Sequence, residues 1–482
     1  MGESAGSDAK IGLEVHVELN RLKTKLFCSC STAHVADEPN TVVCPVCLGL
    51  PGSLPVLNSQ AVFQAIAVAL ALECRINRRF NFVRKNYFYP DMTKNFQISQ
   101  YSMAGGIPIA EEGKLVFWHK NSERTVRIRR IQIEEDPARL EHPFGLGASP
   151  YVLVDYNRAG MGLLEIVTEP DMSDPSEARD FVASLRSVLE HLNVSDTSRE
   201  AAMRADANIS VNGGERVEVK NVSSYKEIER ALEYEKARQL NLLRNGGKVP
   251  RETRHWLETK GITIPSRAKE YDQDYRYMPE PDIPVVEVTE EMLESVKESM
   301  PELPSARVKR FVTQYGLSLY ESRVLVLDKA LADYFEETVS IYPTPKPVSN
   351  WIQAEVMRQL NERGIQAQEL KFTPKHLADL LRMIDDGTIS GKIGKKIVME
   401  SSETGETPLE VVRRMGLIRI SDDNEILRLA KEVIDENPEA VSDAKKNPEA
   451  LNFLVGQMMK KTRGRADPAK ANSIIRDLIS QT

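Results

Sequence analysis

In Ile11-Gly-Leu-Glu-Val-His-Val-Glu-Leu19, apolar residues occupy every second position. Successive side chains of a strand point to opposite faces, so Ile11, Leu13, Val15, Val17 and Leu19 form one face. Glu14, His16 and Glu18 form the other, at ~7 Å per alternate residue. A half-buried strand follows, with two carboxylates flanking an imidazole on its polar side. Similar alternation recurs over residues 127–133, 203–212 and 215–222. Helical patterns fall between them: about 59–74, about 178–192 after Asp174-Pro175, and a third opened by the Ser224-x-x-Glu227 capping box and closed at Gly246-Gly247. The fold class is therefore α+β with a mainly antiparallel sheet, not a doubly wound nucleotide fold.

At 482 residues the chain exceeds what one core serves. The proline clusters at 278–284 and 300–304 mark a change to almost purely helical texture. Thr373-Pro374, Thr407-Pro408 and Asp467-Pro468 each put a capping side chain before a proline at the first helical position. A Gly/Ser/Thr-rich stretch at 400–407 divides the helices. We expect a sheet domain over 1–290, a helical domain over 291–405 and a helical tail over 406–482. The most apolar stretch, residues 61–72, is too short to span a bilayer. Residues 1–10 lack the apolar core of a signal peptide. The expectation is a cytoplasmic protein with no membrane attachment.

Lys and Arg number 64 against 71 Asp and Glu, for a net charge of −7. Bulk charge thus does not advertise nucleic-acid binding, and any RNA contact needs locally gathered cations. Lys460, Lys461, Arg463 and Arg465 are such a cluster, and Gly464 frees the backbone beside them. A solvated turn is the ordinary reading of a cluster like this.

Four of the five cysteines lie within residues 28–47. Cys28-x-Cys30 and Cys44-Pro-Val-Cys47 are two thiolate pairs at zinc-ligand spacing, and four thiolates close a tetrahedral structural site. An iron–sulfur cluster is the alternative. Cys74 ends an apolar helix and reads as a core thiol.

No Walker A sequence, kinase glycine loop, dinucleotide fingerprint or serine-hydrolase elbow occurs. A nucleotide site would have to be built from carboxylates, a metal and lysines on strands. Besides the first strand, Glu134-Glu135-Asp136, Glu165 with Glu169, the Arg204/Asp206/Asn208 face and Lys220-Asn221 could supply it. Each alone is usually a solvated strand face; several in one sheet-rich domain point to a site.

Several long motifs occur in order: Ile11–Leu19 as quoted, Arg84-Lys-Asn-Tyr-Phe-Tyr-Pro-Asp91, Gln97-Ile-Ser-Gln100, Glu134-Glu-Asp136 and Val154-Asp-Tyr-Asn-Arg158. Leu164-Glu-Ile-Val167, Arg204-Ala-Asp-Ala-Asn-Ile-Ser210, Asp274-Tyr-Arg-Tyr277 and Asn452-Phe-Leu-Val-Gly-Gln457 follow. Together they resemble the B subunit of the three-subunit aspartyl/glutamyl-tRNA amidotransferase along essentially the whole chain. The resemblance implies a glutamine-synthetase-like kinase cradle, a helical domain and a small YqeY-like tail that binds tRNA. It implies ATP-dependent phosphorylation of the side-chain carboxylate of mischarged Asp-tRNA(Asn) or Glu-tRNA(Gln). Ammonia from a glutaminase partner (the A subunit) then displaces the phosphate, with the small C subunit clamping the pair. His16, Glu135 and Glu165 correspond to magnesium ligands, with Glu14 close by, and Lys85 to a channel lysine. Lys220 and Asn221 correspond to a nucleotide-side motif, although Val219-Lys-Asn-Val-Ser-Ser-Tyr225 departs from the family pattern there. The implied cofactors are ATP, Mg²⁺ and a structural Zn²⁺. Two rival readings stand beside this one: the homologous subunit of the archaeal two-subunit enzyme, and a non-catalytic, zinc-stabilised RNA-binding protein.

Overall fold

Sixteen strands are distributed over the first 290 residues of the computed structural model, which describes residues 8–33, 38–145, 149–199, 202–222, 224–266, 275–417, 423–444, 451–462, 466 and 468–481. In chain order they are β1 (Ala9–Glu18), β2 (Arg75–Ile76), β3 (Arg79–Phe80), β4 (Val83–Asn86), β5 (Phe96–Ser99), β6 (Ala110–His119), β7 (Ser122–Glu135) and β8 (Arg139–Glu141). Then come β9 (Leu153–Asp155), β10 (Gly162–Thr168), β11 (Met203–Val211), β12 (Val217–Val222), β13 (Glu252–Leu257), β14 (Ile262–Pro265), β15 (Met278–Pro279) and β16 (Val286–Glu287). Four helices accompany them: α1 (Ser59–Ala71), α2 (Pro175–His191), α3 (Tyr225–Arg244) and α4 (Glu290–Ser299).

The main sheet has nine strands in the order β14-β13-β12-β11-β1-β10-β7-β6-β2. Every pairing is antiparallel except β12 with β13. The alternation of β1 is realised as expected: Ile11, Leu13, Val15 and Val17 are buried at 0–1% exposure. Each such aliphatic side chain contributes about 1.5–3 kcal/mol relative to leaving it in water. Their face joins one apolar core with α1, α2 and α3; Phe181 of α2 meets Phe117 of β6 edge to face at 5.7 Å. With three helices covering that side, the polar parity of β1 is turned to the opposite side of the sheet. Asp174 and Ser224 cap α2 and α3 by accepting from backbone amides. The reciprocal half of the Ser224 box is not made, because Glu227 instead accepts from the Trp256 indole at 2.8 Å and pairs with Arg230.

The first compact unit runs to Pro304. Past the first proline cluster, α4 returns Leu293 and Val296 to the sheet domain's core. The second unit, 305–482, holds two apolar clusters. One spans Phe311 to Leu417 and includes Val411 and Val412 of the helix Pro408–Met415. The other gathers the helices Asp423–Glu436, Leu451–Lys461 and Pro468–Gln481. Thr373 and Thr407 cap their helices as expected; Asp467 lies outside the described residues. Among the described residues, no helix is long and apolar enough to cross a membrane.

Candidate active site and metal centre

The polar face is assembled by register. His16 lies opposite Glu165 of β10 and Arg204 of β11, and Glu14 lies opposite Asp206. On the far side of β10, Glu165 lies opposite Gln132 and Leu163 opposite Glu134 of β7. Glu14, His16, Glu165, Glu134, Arg204 and Asp206 thus share one face of four adjacent strands. Glu14, His16 and Glu165 each offer a ligand atom, all within 4.8 Å of one another. The His16 Nε2 is 3.8 Å from a Glu14 oxygen and 3.5 Å from Glu134 Oε1.

The three consecutive acids of residues 134–136 go to three different places. Glu134 turns to His16 and accepts from the Ser99 hydroxyl at 3.1 Å. Glu135 has the parity of Ile131 and Ile133; its carboxylate accepts from the Ile98 amide at 2.9 Å and pairs with Lys94. Asp136 is clamped by Arg204 at 2.6 Å and Arg158 at 3.4 Å. The structure thus brings Glu14, His16 and Glu165 together with Glu134 facing them, and does not bring the Glu135 carboxylate into that group.

Burial in a group of like charges governs the electrostatics. Desolvation pushes Glu165 above the ordinary carboxylate value, and Glu134 adds to the rise while His16, Arg130 and Lys85 oppose it. Burial likewise raises Glu14, with Glu165 contributing. Glu134 is pushed up to about 7, chiefly by burial and against the pull of Lys85. Glu18, further along β1, also rises to about 7 through burial and the nearby Asp136. Concentrated buried carboxylates with raised values mark a place where binding a cation is favoured. The two carboxylates offer the oxygen donors that magnesium and manganese prefer, whereas the imidazole is a less usual ligand for magnesium.

Cationic side chains border the cluster. Arg130 reaches Glu165 at 3.1 Å. Lys85, on β4, lies 4.9 Å over the Tyr275 ring, and Tyr275, Tyr277 and Tyr101 adjoin one another. Lys220 pairs with Asp206 and, at 3.0 Å, with Glu218. Burial pulls its ammonium down, but those carboxylates hold it above its ordinary value. Asn221 belongs to β12, and its side chain lies outside what the structure describes. Sequence reasoning assigns no specific role to Glu134, Arg130 or Glu18; strand parity could have offered Glu134, but only once the β7–β10 register was known.

Cys28, Cys30, Cys44 and Cys47 converge, with sulfurs within 4.8 Å of one another. The Cys44 and Cys47 sulfurs are 3.8 Å apart. A tetrahedron with Zn–S of ≈ 2.3 Å has an edge of about 3.8 Å, so the donors fit that ion. The Cys44 amide points at Cys47 Sγ at 3.1 Å, the knuckle geometry that stabilises a thiolate. Hydrogen bonding from Cys28, then from the Cys44 amide, together with the Lys25 ammonium, holds Cys47 down to about 4 against the effect of burial. The knuckle abuts the segment that carries Lys94, the partner of Glu135: Thr93 donates to the Cys47 carbonyl at 2.7 Å. Gly49, at φ +64°, lies so close to Lys94 that a Cβ would sit 2.9 Å from its Cα. Cys74 stands apart, buried against Gly113, its thiol pushed up to about 12 by desolvation.

In the tail, Lys460 is exposed at the end of its helix. Lys461 is engaged by Glu432 at 2.9 Å and Glu436 at 2.6 Å, so its charge is partly spoken for. Arg463 and Arg465 lie outside the described residues.

A family model described as the GatB/GatE catalytic domain matches residues 9–294, which contain the whole nine-stranded sheet and both clusters. The chain belongs to the GatB/GatE family. A second model, described as the GatB domain, matches residues 333–479. Relatives similar along the full GatB length include the B subunit of the aspartyl/glutamyl-tRNA(Asn/Gln) amidotransferase of Sulfurisphaera tokodaii, 51% identical over 98% of this chain and 99% of its own. Proteins of the same name from Carboxydothermus hydrogenoformans and Thermotoga maritima are 46% and 48% identical, over 98% and 97% of this chain and 99% and 98% of theirs.

Proposed function

We propose that this chain is the ATP-using, tRNA-binding component of a glutamine-dependent amidotransferase, a carbon–nitrogen ligase acting on mischarged Asp-tRNA(Asn), Glu-tRNA(Gln) or both. The observation that carries the reading is the Glu14–His16–Glu165 cluster, bordered by Lys85 and Lys220, within the stretch that matches the catalytic-domain model. Bringing a γ-phosphoryl group to a carboxylate joins two anions, so the site must supply positive charge and alignment. Glu14, His16 and Glu165 would hold the magnesium ion, with Glu134 steadying His16. The ion, when bound, would neutralise phosphate charge. Lys85 and Lys220 add charge from either side of the cluster.

In this reading a side-chain carboxylate oxygen attacks the γ-phosphorus, the bond to the bridging oxygen breaks and ADP leaves. Ammonia then attacks the acyl carbon, phosphate departs with its oxygen, and the nitrogen gives up a proton. The ammonia comes from a glutaminase partner, held with this chain by a small third component. The four-cysteine centre holds zinc structurally, since four protein ligands leave no open position. The helical tail carries the tRNA contacts, and the work is cytoplasmic. The test is reconstitution with the partner proteins and each mischarged tRNA, following ADP and amide together. Amide formation requiring ATP and mischarged tRNA supports the reading; tRNA binding without tRNA-stimulated ATP turnover would leave a pure binding module.

A further inference from the structure

Lys25 is fully buried, at 0% exposure, one of the largest side chains so enclosed among the described residues. Its backbone belongs to the first cysteine turn, where its amide donates to the Cys30 carbonyl at 2.9 Å. Its ammonium crosses to the second: it donates to the Val42 carbonyl at 3.0 Å and the Tyr156 carbonyl at 3.5 Å, and lies 3.8 Å from Cys47 Sγ. Gly160, at φ +82°, packs beside this crossing: a Cβ there would be in ordinary contact with the Cys47 Cβ at 3.5 Å and Lys25 Cδ at 3.9 Å. Among the described residues, no carboxylate pairs with this lysine.

An ammonium enclosed in protein is costly unless a negative charge sits beside it. Two carbonyls satisfy hydrogen bonds but bring no charge. Four neutral thiols would bring none either. Four thiolates around a divalent ion carry a net charge of −2, counted as four negative sulfurs and one doubly positive metal. We propose that Lys25 is the counter-cation of the four-thiolate metal centre, halving its net charge from within the protein. This rests on the metal reading of the cysteine cluster and not on the amidotransferase reading. It assigns the centre a built-in outer layer of the kind that tunes metal affinity elsewhere, here a charge and not a hydrogen bond alone. Lys25 is a positioning residue: it ties Cys47 to the 154–158 segment, whose Asp155 and Asn157 in turn hold Asn40 and Val42.

The experiment compares Lys25→Met in two backgrounds of the full chain. In the zinc-loaded protein, the substitution should weaken zinc retention against a chelator by roughly tenfold or more, the range seen for outer-layer partners. In the cobalt-loaded protein it should shift the sulfur-to-cobalt charge-transfer band to lower energy, because removing a nearby cation raises the thiolate donor level. In the metal-free Cys44→Ser/Cys47→Ser chain, the urea midpoint should stay level or rise, since a buried, uncompensated charge has been removed. A lysine acting only as a carbonyl cross-link predicts otherwise: equal destabilisation in both backgrounds, unchanged zinc retention and an unmoved cobalt band. Either that loss in the metal-free chain or an unmoved band overturns the proposal. If the loaded variant does not accumulate folded, the metal-free comparison decides alone.

Discussion

Glu134 and Glu135 share a peptide bond and almost nothing else. The parity within a strand is local, so the sequence alone separates them into opposite faces; which face holds the site depends on pairing with β10, and that is long-range information. The resemblance points to Glu135, and the register points to Glu134. Glu134 also carries a prediction. Its folded value of about 7 stands above the ordinary 4.5, so the metal-free fold binds this proton more tightly than the unfolded chain does. The associated stability is complete below about 4.5 and is lost as pH rises through about 7. A divalent ion held by the neighbouring Glu14, His16 and Glu165 favours the ionised form of Glu134 and relieves the carboxylate repulsion. The rise in melting temperature on adding magnesium or manganese should therefore be larger at pH 8 than at pH 6. A gain independent of pH would mean that these carboxylates do not meet the ion.

At the scale of elements, legibility followed how self-contained each pattern was. The β1 alternation and the two cysteine pairs lie within short stretches and could be read directly, as could the caps at Asp174, Thr373 and Thr407. Domain edges are less self-contained, because proline clusters record where chain texture changes, whereas packing decides what belongs together: α4 lies beyond the first cluster yet packs into the sheet unit's core. Lys25 was invisible, since nothing in Lys23-Thr-Lys-Leu26 distinguishes a buried lysine from a solvated one. The cysteine loop is an element whose own apolar content is small, so its order should depend on metal, with apparent binding free energies of ~10–16 kcal/mol in small zinc peptides. Replacing Cys44 and Cys47 by serine should release the ion and lower the melting temperature of the sheet unit, while the helices of the second unit keep their own clusters. Elemental analysis of wild-type protein purified without chelator should give about one zinc per chain by the same stoichiometry; iron, or no metal, would contradict it.

For the whole molecule, the proposed function gives the chemistry to the sheet unit and the RNA contacts to the helices. A chain ending after Leu417 keeps the second apolar cluster intact and removes the third. It should bind tRNA more weakly and with a shallower salt dependence, since each lost phosphate contact removes roughly 0.7–0.9 from the slope of log affinity against log salt. Lys460→Ala should matter more than Lys461→Ala, because Lys461 is already paired with Glu432 and Glu436. An unchanged affinity and slope after truncation would move the RNA contacts elsewhere. The central claim is that the Glu14–His16–Glu165 face, with Glu134, is where phosphate is transferred. The most direct measurement is tRNA-dependent ADP formation by the reconstituted complex carrying Glu165→Gln or Glu134→Gln, at saturating magnesium. Each should fall by roughly a hundredfold or more, the loss typical of one preorganised electrostatic group, while glutamine hydrolysis by the partner continues; near-normal ADP formation by either folded variant would contradict the account.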